Sequence, residues 1–282
     1  MRLVSISSRV AWGHVGNSSL AFPLQRLGAD VVTVDTVLFS NHLGYGSHAG
    51  LVVPGEQVTA ILAQLERLGV LAEADGLVSG FLGAAPTAEA VAAAVIRLRL
   101  ARPDWTYLLD PVLGDHGRLY VPASLAEAVS RHLVPLATLI TPNPFELETL
   151  TGRATGDEAA SLAAARSLLN ATTQAVLVTS AHEESERVGL LLVMAARAWR
   201  LWTPRYRFSI TPNGSGDLLA GLWLLESLRR GGDLLGAARL AVARLLAVIA
   251  RTAAEDRREL LLVAAQEDLV RASAASVTVE EI

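Results

Sequence analysis

Arg2–Ser8 reads RLVSISS, Gly13–Asn17 reads GHVGN, and Val31–Val37 reads VVTVDTV. The first stretch alternates apolar and polar residues as a strand does. The second is a glycine turn opening a helical stretch from Asn17 to Leu27, with Asn17 as its cap and Gly28 as its stop. The third returns as a strand. A strand, a glycine loop, a helix and a second strand form the opening unit of an α/β fold.

The rhythm continues outward from this unit. Leu38–Pro54 is rich in Gly, His, Tyr, Ser and Asn and is expected as a long polar loop of the kind that covers active sites. Helices are expected at Val58–Leu68, at Thr87–Leu100 with Thr87 as cap, at Ser124–Leu133 and at Gly156–Leu169. Strands are expected at Gly76–Ser79, Trp105–Leu109, Thr138–Thr141 and Ala175–Thr179. Val188–Met194 and Ala198–Thr203 suggest a strand pair, and Asp217–Leu228 and Leu234–Ala254 two closing helices. Leu260–Val263 is an apolar run too short for periodicity to assign. No repeat and no linker divides the chain. The expectation is one domain over residues 1–282, with a largely parallel sheet, helices on both faces and right-handed crossovers.

Composition narrows the function. With 51% hydrophobic residues, 282 residues supply ample core, and a net charge of −4 leaves no basic stripe for nucleic acid and no polybasic helix for a membrane surface. A small-molecule partner follows. The chain lacks cysteine, which removes disulfides, thiolate nucleophiles and cysteine-held metals. No leader and no membrane-length apolar stretch is evident, so the cytoplasm is the expected location. All 24 basic residues are arginine. Without lysine there is neither a Walker A loop nor an internal aldimine to pyridoxal phosphate, so phosphate chemistry would rest on backbone, arginine and metal.

Polar groups gather where strands end and helices begin. Asn213–Asp217, NGSGD, stands at the mouth of the apolar helical run Leu218–Leu228. Its glycines admit close approach of an anion, the N–H groups at a helix start point outward, and the helix dipole adds partial positive charge. A carboxylate beside such a hole repels phosphate. Asp217 therefore suits a proton acceptor for an attacking hydroxyl, and the plainer alternative is an aspartate in the first turn of a helix. Asp110 follows one strand, and Asn143 and Glu146 follow the next. Three residues apart, Asn143 and Glu146 face one way on a helical turn and suit magnesium held through water; equally, Pro142–Pro144 can be a helix entry with Glu146 in its first turn. His14, His42 and His48 lie in glycine-rich loops without the spacing of a zinc site. Ser7 and Ser8, at a strand end, can bond a small ligand or local backbone.

Taken in order, Gly13–Asn17, Phe39–His42 (FSNH), Ser79–Gly83 (SGFLG), Asp110–Asp115 (DPVLGD), Thr141–Glu146 (TPNPFE) and Gly214–Asp217 (GSGD) resemble the pyridoxal kinase branch of the ribokinase-like superfamily. The resemblance covers nearly the whole chain, and FSNH separates this branch from the sugar and hydroxymethylpyrimidine kinases. It implies a ribokinase-like fold with small flaps, and transfer of the ATP γ-phosphate to the 5'-hydroxymethyl of pyridoxal and of pyridoxine and pyridoxamine. Asp217 would be the base, and Gly214, Ser215 and Gly216 the anion hole. Asp110, Asn143 and Glu146 would order magnesium and its waters. On the ATP side stand Asp115, Tyr120, Asn143, Thr179 and Ser180, with Asp115–Tyr120 resembling a flap that excludes water. Ser8, Phe39, His42, Leu43 and Phe81, with Asp217, would surround the pyridine ring. Such kinases are commonly homodimers, and many use a monovalent cation, often potassium. Leu43 stands where members usually have threonine, His48 where tryptophan is common, and Phe81 where tyrosine is common. The alternatives are a kinase for a related heterocycle such as hydroxymethylpyrimidine, and a vitamer-binding protein without turnover.

Overall fold

A computed structural model describes all 282 residues. The chain runs β1 (Arg2–Trp12), α1 (Asn17–Arg26), β2 (Asp30–Asn41), β3 (Gly50–Val52), α2 (Gly55–Arg67), β4 (Gly76–Ser79), α3 (Ala85–Ala101) and β5 (Thr106–Leu109). It continues with β6 (Gly114–Asp115), β7 (Arg118–Leu119), α4 (Ala123–Ala128), β8 (Leu139–Ile140), α5 (Pro144–Thr151), α6 (Glu158–Leu168), β9 (Ala175–Glu183), β10 (Arg187–Met194) and β11 (Ala198–Pro204). It closes with α7 (Ser215–Arg229), α8 (Leu234–Ala254), α9 (Gln266–Arg271) and β12 (Thr278–Glu281). Ten strands make one sheet, ordered β12-β11-β10-β9-β8-β5-β4-β1-β2-β3, and β6 and β7 form a separate small hairpin. From β2 across to β9 every pairing is parallel. Antiparallel strands extend both edges.

Successive side chains of a strand point to opposite faces, and both faces here are covered. Leu108 therefore joins one apolar cluster with α1, α7, α8 and α9, while Tyr107 and Leu109 join the other with α2 to α6. Leu3 and Val4 divide in the same way. This double covering is why β4 is buried at all four positions, the polar Ser79 at its end included. The C-terminal ends of β1, β2, β4, β5, β8 and β9 lie along one edge, where open parallel sheets bind ligands.

Several local expectations change. Asn17 begins α1 but does not cap it: its side-chain amide donates to Ser7 O, Val34 O and Asp35 Oδ1, and its Oδ1 accepts from Ser5 Oγ. A buried amide with four polar partners knits β1 to β2, which satisfies it better than one cap bond would. Thr87 is likewise inside α3, since the helix starts at Ala85 with proline in its first turn. The segment expected as a long loop is partly strand, because β2 keeps pairing with β1 as far as Trp12 and Asn41 and then turns back through β3. The helix expected to reach Leu133 is regular only to Ala128 and widens to a π turn over Val129–Leu133.

Candidate active site

Asp217 sits where α7 meets the loops after β1 and β4. Its carboxylate accepts hydrogen bonds from the Gly16 amide and from its own amide. Gly80 packs against it so closely that a Cβ there would lie 3.3 Å from Asp217 Oδ1 and 2.6 Å from Ser7 Oγ. The residue is half-buried. Loss of hydration outweighs the two amides and raises its pKa to about 6. An Asp in a helix's first turn and a carboxylate whose proton affinity lies near neutrality are thus the same residue.

Beside it, Leu218 is the residue whose amide first bonds back along α7, 3.1 Å from Gly214 O. The amides of Ser215 and Gly216 precede that ladder and have no carbonyl within the helix to reach. Gly214 makes the turn in the left-handed region, φ 85°, and its carbonyl accepts from Ser19 Oγ at 2.8 Å. Gly214, Ser215 and Gly216 therefore present helix-start donors next to the Asp217 carboxylate.

Two more carboxylates complete the centre. Asp110 is buried at the end of β5 and accepts from Thr141 Oγ1 at 3.0 Å. Burial pushes its pKa well above the usual range, and the charges of Asp217 and Glu146 push it further. Glu146 and Asn143 form a reciprocal cap on α5: Asn143 Oδ1 accepts from the Glu146 amide and Glu146 Oε2 from the Asn143 amide, each at 2.9 Å. Glu146 Oε1 accepts from the Leu113 amide at 2.8 Å, and Asn143 Nδ2 donates to Gly114 O at 2.8 Å. The helix entry and the polar cluster coexist, and together they tie β8 to the loop after β5. Burial still raises the Glu146 pKa to about 7, against the pull of those amides. No arginine approaches any of the three carboxylates to compensate them. No three His, Asp or Glu side chains are grouped to chelate a metal directly. Hard, uncompensated oxygens of this kind fit magnesium held through its waters.

On the side of β1 and β2, Ser8 is buried at 6% exposure and the Phe39 ring packs on His48 at 4.3 Å. Leu43 begins a 3₁₀ turn and is 42% exposed. The Phe81 amide donates to Ser7 Oγ at 3.2 Å and its carbonyl accepts from Thr36 Oγ1 at 2.6 Å, fixing the ring's backbone beside β1. His42 is buried, with Nδ1 accepting from the Gly44 amide at 3.2 Å and Nε2 2.8 Å from Glu259 Oε1. Glu259 lies in the segment after α8, beside the apolar run that periodicity cannot assign, and no sequence signal separates it from its neighbours. On the other side, Asp115 is in the β6–β7 hairpin and the exposed Tyr120 follows it. The Thr179 amide donates to Pro142 O at 2.9 Å, and Ser180 adopts φ 49°. Asp115 and Tyr120 are joined to the carboxylates through the hairpin and its Gly114–Asn143 bond. Two cavities of about 380 and 630 Å³ lie elsewhere, on β9–β11 and its surroundings; the first holds His182 and Arg200, each paired with Glu158.

A helix start with unpaired amides, a carboxylate of raised pKa beside it and buried carboxylates at the ends of parallel strands fit a phosphotransferase of the ribokinase-like kind. The phosphomethylpyrimidine kinase family model matches residues 50–256. The pyridoxal kinase PdxY of Granulibacter bethesdensis is 39% identical over 281 residues, 97% of each chain, and that of Deinococcus radiodurans is 40% identical over 277 residues, 95% of this chain and 93% of the relative. The pyridoxal kinase of Leishmania donovani, solved with ADP and pyridoxamine, superposes with a TM-score of 0.91 at 28% identity, covering 100% of this chain and 99% of that one. That of Entamoeba histolytica gives 0.89 at 25% identity, with the same coverage. The chain belongs to the pyridoxal kinase family of the ribokinase-like superfamily. No helix is long and apolar enough to cross a membrane.

Proposed function

We propose that this protein transfers the ATP γ-phosphate to the 5'-hydroxymethyl group of pyridoxal, pyridoxine and pyridoxamine. The observation that carries the reading is the placement of Asp217: a carboxylate with pKa raised to about 6 beside the free amides of Ser215 and Gly216. The base and the anion hole share one turn of helix, so a hydroxyl directed at Asp217 faces a phosphate held by those amides. Asp217 takes the hydroxyl proton as the oxygen attacks the γ-phosphorus and the bond to the β,γ-bridging oxygen breaks, releasing ADP, while Gly214, Ser215 and Gly216 stabilise the charge on the transferring oxygens. Asp110, Asn143 and Glu146 would hold magnesium through its waters, and the ion would supply neutralisation of the phosphate charge. Asp115, Tyr120, Thr179 and Ser180 face the nucleotide, with the β6–β7 hairpin closing over it. Ser8, Phe39, His42, Leu43 and Phe81 form the vitamer side. Residues 1–282 act as one kinase domain, and the family habit supports a cytoplasmic homodimer and use of potassium; the exposed row of Trp12, Leu38, Leu51 and Val52 at the β2–β3 edge is the face such a dimer would bury.

The test is ATP-dependent formation of pyridoxal 5'-phosphate with magnesium and potassium, followed by its absorbance, with hydroxymethylpyrimidine in parallel. Turnover of pyridoxal in preference to the pyrimidine is expected. Turnover of the pyrimidine alone, or of neither, overturns the assignment.

The buried carboxylates make a further prediction about magnesium. Their raised pKa values mean that the fold favours their protonated forms. The stability they contribute is present below about pH 4 and is lost as pH rises through about 6 for Asp217 and about 7 for Glu146. A cation needs the ionised forms, so its binding releases protons. Thermal unfolding with and without magnesium is therefore expected to show a larger stabilisation at pH 8 than at pH 5.5. Equal shifts at both would remove these carboxylates from the metal site. Glu146→Gln is expected to raise the magnesium concentration needed for half-maximal rate, and an unchanged titration counts against its metal role.

A further inference from the structure

Residues 258 and 259, which no motif singles out, grip the vitamer side of the cleft from behind. Glu259 Oε1 accepts from Tyr45 Oη at 2.8 Å and lies 2.8 Å from His42 Nε2. Its other oxygen, Oε2, accepts from the His14 amide at 3.0 Å. Arg258 donates through Nη2 to Gly44 O at 2.6 Å and stacks its guanidinium 3.6 Å from the centre of the Tyr45 ring. Tyr45 Oη in turn accepts from Trp12 Nε1 at 3.0 Å. Two sequence neighbours thus fasten both the β1–α1 loop and the turn after β2, beyond the β1–β2 pairing that ends at Trp12 and Asn41.

The hydrogen bonds also fix the His42 ring. A backbone N–H only donates, so the Gly44 amide makes Nδ1 an acceptor; the ring proton is then on Nε2, donated to Glu259. Both ring nitrogens are engaged within the protein and the side chain is 4% exposed. His42 has no nitrogen left to offer a ligand. Burial works against ionisation of Glu259, yet the bonds from His42 and Tyr45 hold its pKa below the usual carboxylate range, so it stays charged.

We propose that Glu259 is a positioning residue of the vitamer pocket, acting through His42, Tyr45 and the His14 amide to hold Leu43 and its turn in the shape that receives the pyridine ring. The claim rests on the vitamer-side assignment above, and His42 becomes a residue that shapes the pocket rather than one that bonds the ring. Preorganisation of this kind is felt as affinity for the alcohol, while phosphate transfer at Asp217 is left alone.

The test is Glu259→Gln in the full chain, which keeps the shape but leaves one of its two ends facing donors with an NH₂ group. The KM for pyridoxal is expected to rise about tenfold, the size of one hydrogen bond to a charged group, with kcat and the KM for ATP unchanged to within about twofold. Tyr45→Phe, which removes one donor and is the milder change should the first variant fold poorly, is expected to raise that KM by a smaller factor. Hydrogen exchange supplies a readout independent of the substrate: the amides of His14 and of residues 44–46 should exchange faster in Glu259→Gln, with α7 and the sheet unaffected. An unchanged KM for pyridoxal with unchanged exchange overturns the proposal, and so does a parallel loss in kcat and in the KM for ATP, which would mark a general structural role. If the wild type phosphorylates a different alcohol, the pyridoxal assignment fails; the same KM split with that alcohol, and the same exchange pattern, still decide whether Glu259 holds the pocket.

Discussion

Asp217→Asn is expected to lose about 100-fold to 10,000-fold in kcat while the protein folds normally, since general-base catalysis supplies acceleration of that order. Asparagine has the shape of the carboxylate and can still accept from the Gly16 amide, but it cannot take the hydroxyl proton. The direction of the stability change is a second, independent check. Because the fold raises the Asp217 pKa to about 6, the ionised form is the one it tolerates poorly, and a neutral residue relieves that cost at pH 8. The magnesium-free variant is expected to be more stable than wild type there, by something on the order of 1 to 3 kcal/mol, and to show no such gain near pH 4. The same pKa places the acid limb of the wild-type rate profile near pH 6, as an apparent value for the interacting carboxylates rather than for Asp217 alone. A variant retaining near-full kcat would end the assignment of Asp217 as base. One that lost activity through a lower melting temperature would show it to be structural.

Gly214→Ala and Gly216→Ala, two residues apart in the anion hole, are expected to fail differently. Gly214 lies at φ 85°, and a Cβ built on it would stand 1.7 Å from His14 O. That neighbour is backbone and cannot swing aside. The left-handed penalty of about 1 to 2 kcal/mol and overpacking of about 1 to 3 kcal/mol together predict a loss of about 2 to 5 kcal/mol, with the β1–α1 loop displaced and Asp217 losing the Gly16 amide. Activity should fall with stability. Gly216, by contrast, has nothing within 4 Å of a Cβ position. Its alanine variant is expected to melt as wild type does while kcat drops, because the added methyl enters the space where the phosphate would sit. Denaturation curves beside kcat for the two variants check this. Wild-type kcat in Gly216→Ala would mean that the transferring phosphate does not approach that amide.

Asp110, Asn143 and Glu146 were legible because they follow apolar runs that end at one edge of the sheet, and the 214–217 turn because two glycines and an aspartate open the apolar helical run Leu218–Leu228. The α8 boundaries, Leu234 and Ala254, were legible for the same reason: long apolar periodicity leaves little choice. Thr87 misled because a threonine before an alanine-rich run looks like a cap, while the proline at 86 starts the helix earlier. Asn17 misled because its four partners come from strands separated from it in sequence. The β6–β7 hairpin, α9 and β12 are two to six residues long, too short for any period to register. Glu259 was invisible for a different reason: its partners, His42, Tyr45 and His14, are more than 200 residues away.

By itself the sequence determined the layered α/β plan, since apolar periodicity and glycine punctuation are local and survive without a structure. It also narrowed the means of any phosphate chemistry, because the chain has no lysine and carries a GSGD turn at a helix start. Only the tertiary structure decided that Asp217, Asp110 and Glu146 are brought together, so that burial, joined at Asp110 by repulsion from the other two, raises their proton affinities beyond what residue type gives. It alone decided that His42 has both nitrogens occupied, with Glu259 behind it. Electrostatic coupling and hydrogen-bond saturation depend on distances between distant parts of the chain, and those distances exist only after the sheet has brought its strand ends to one edge.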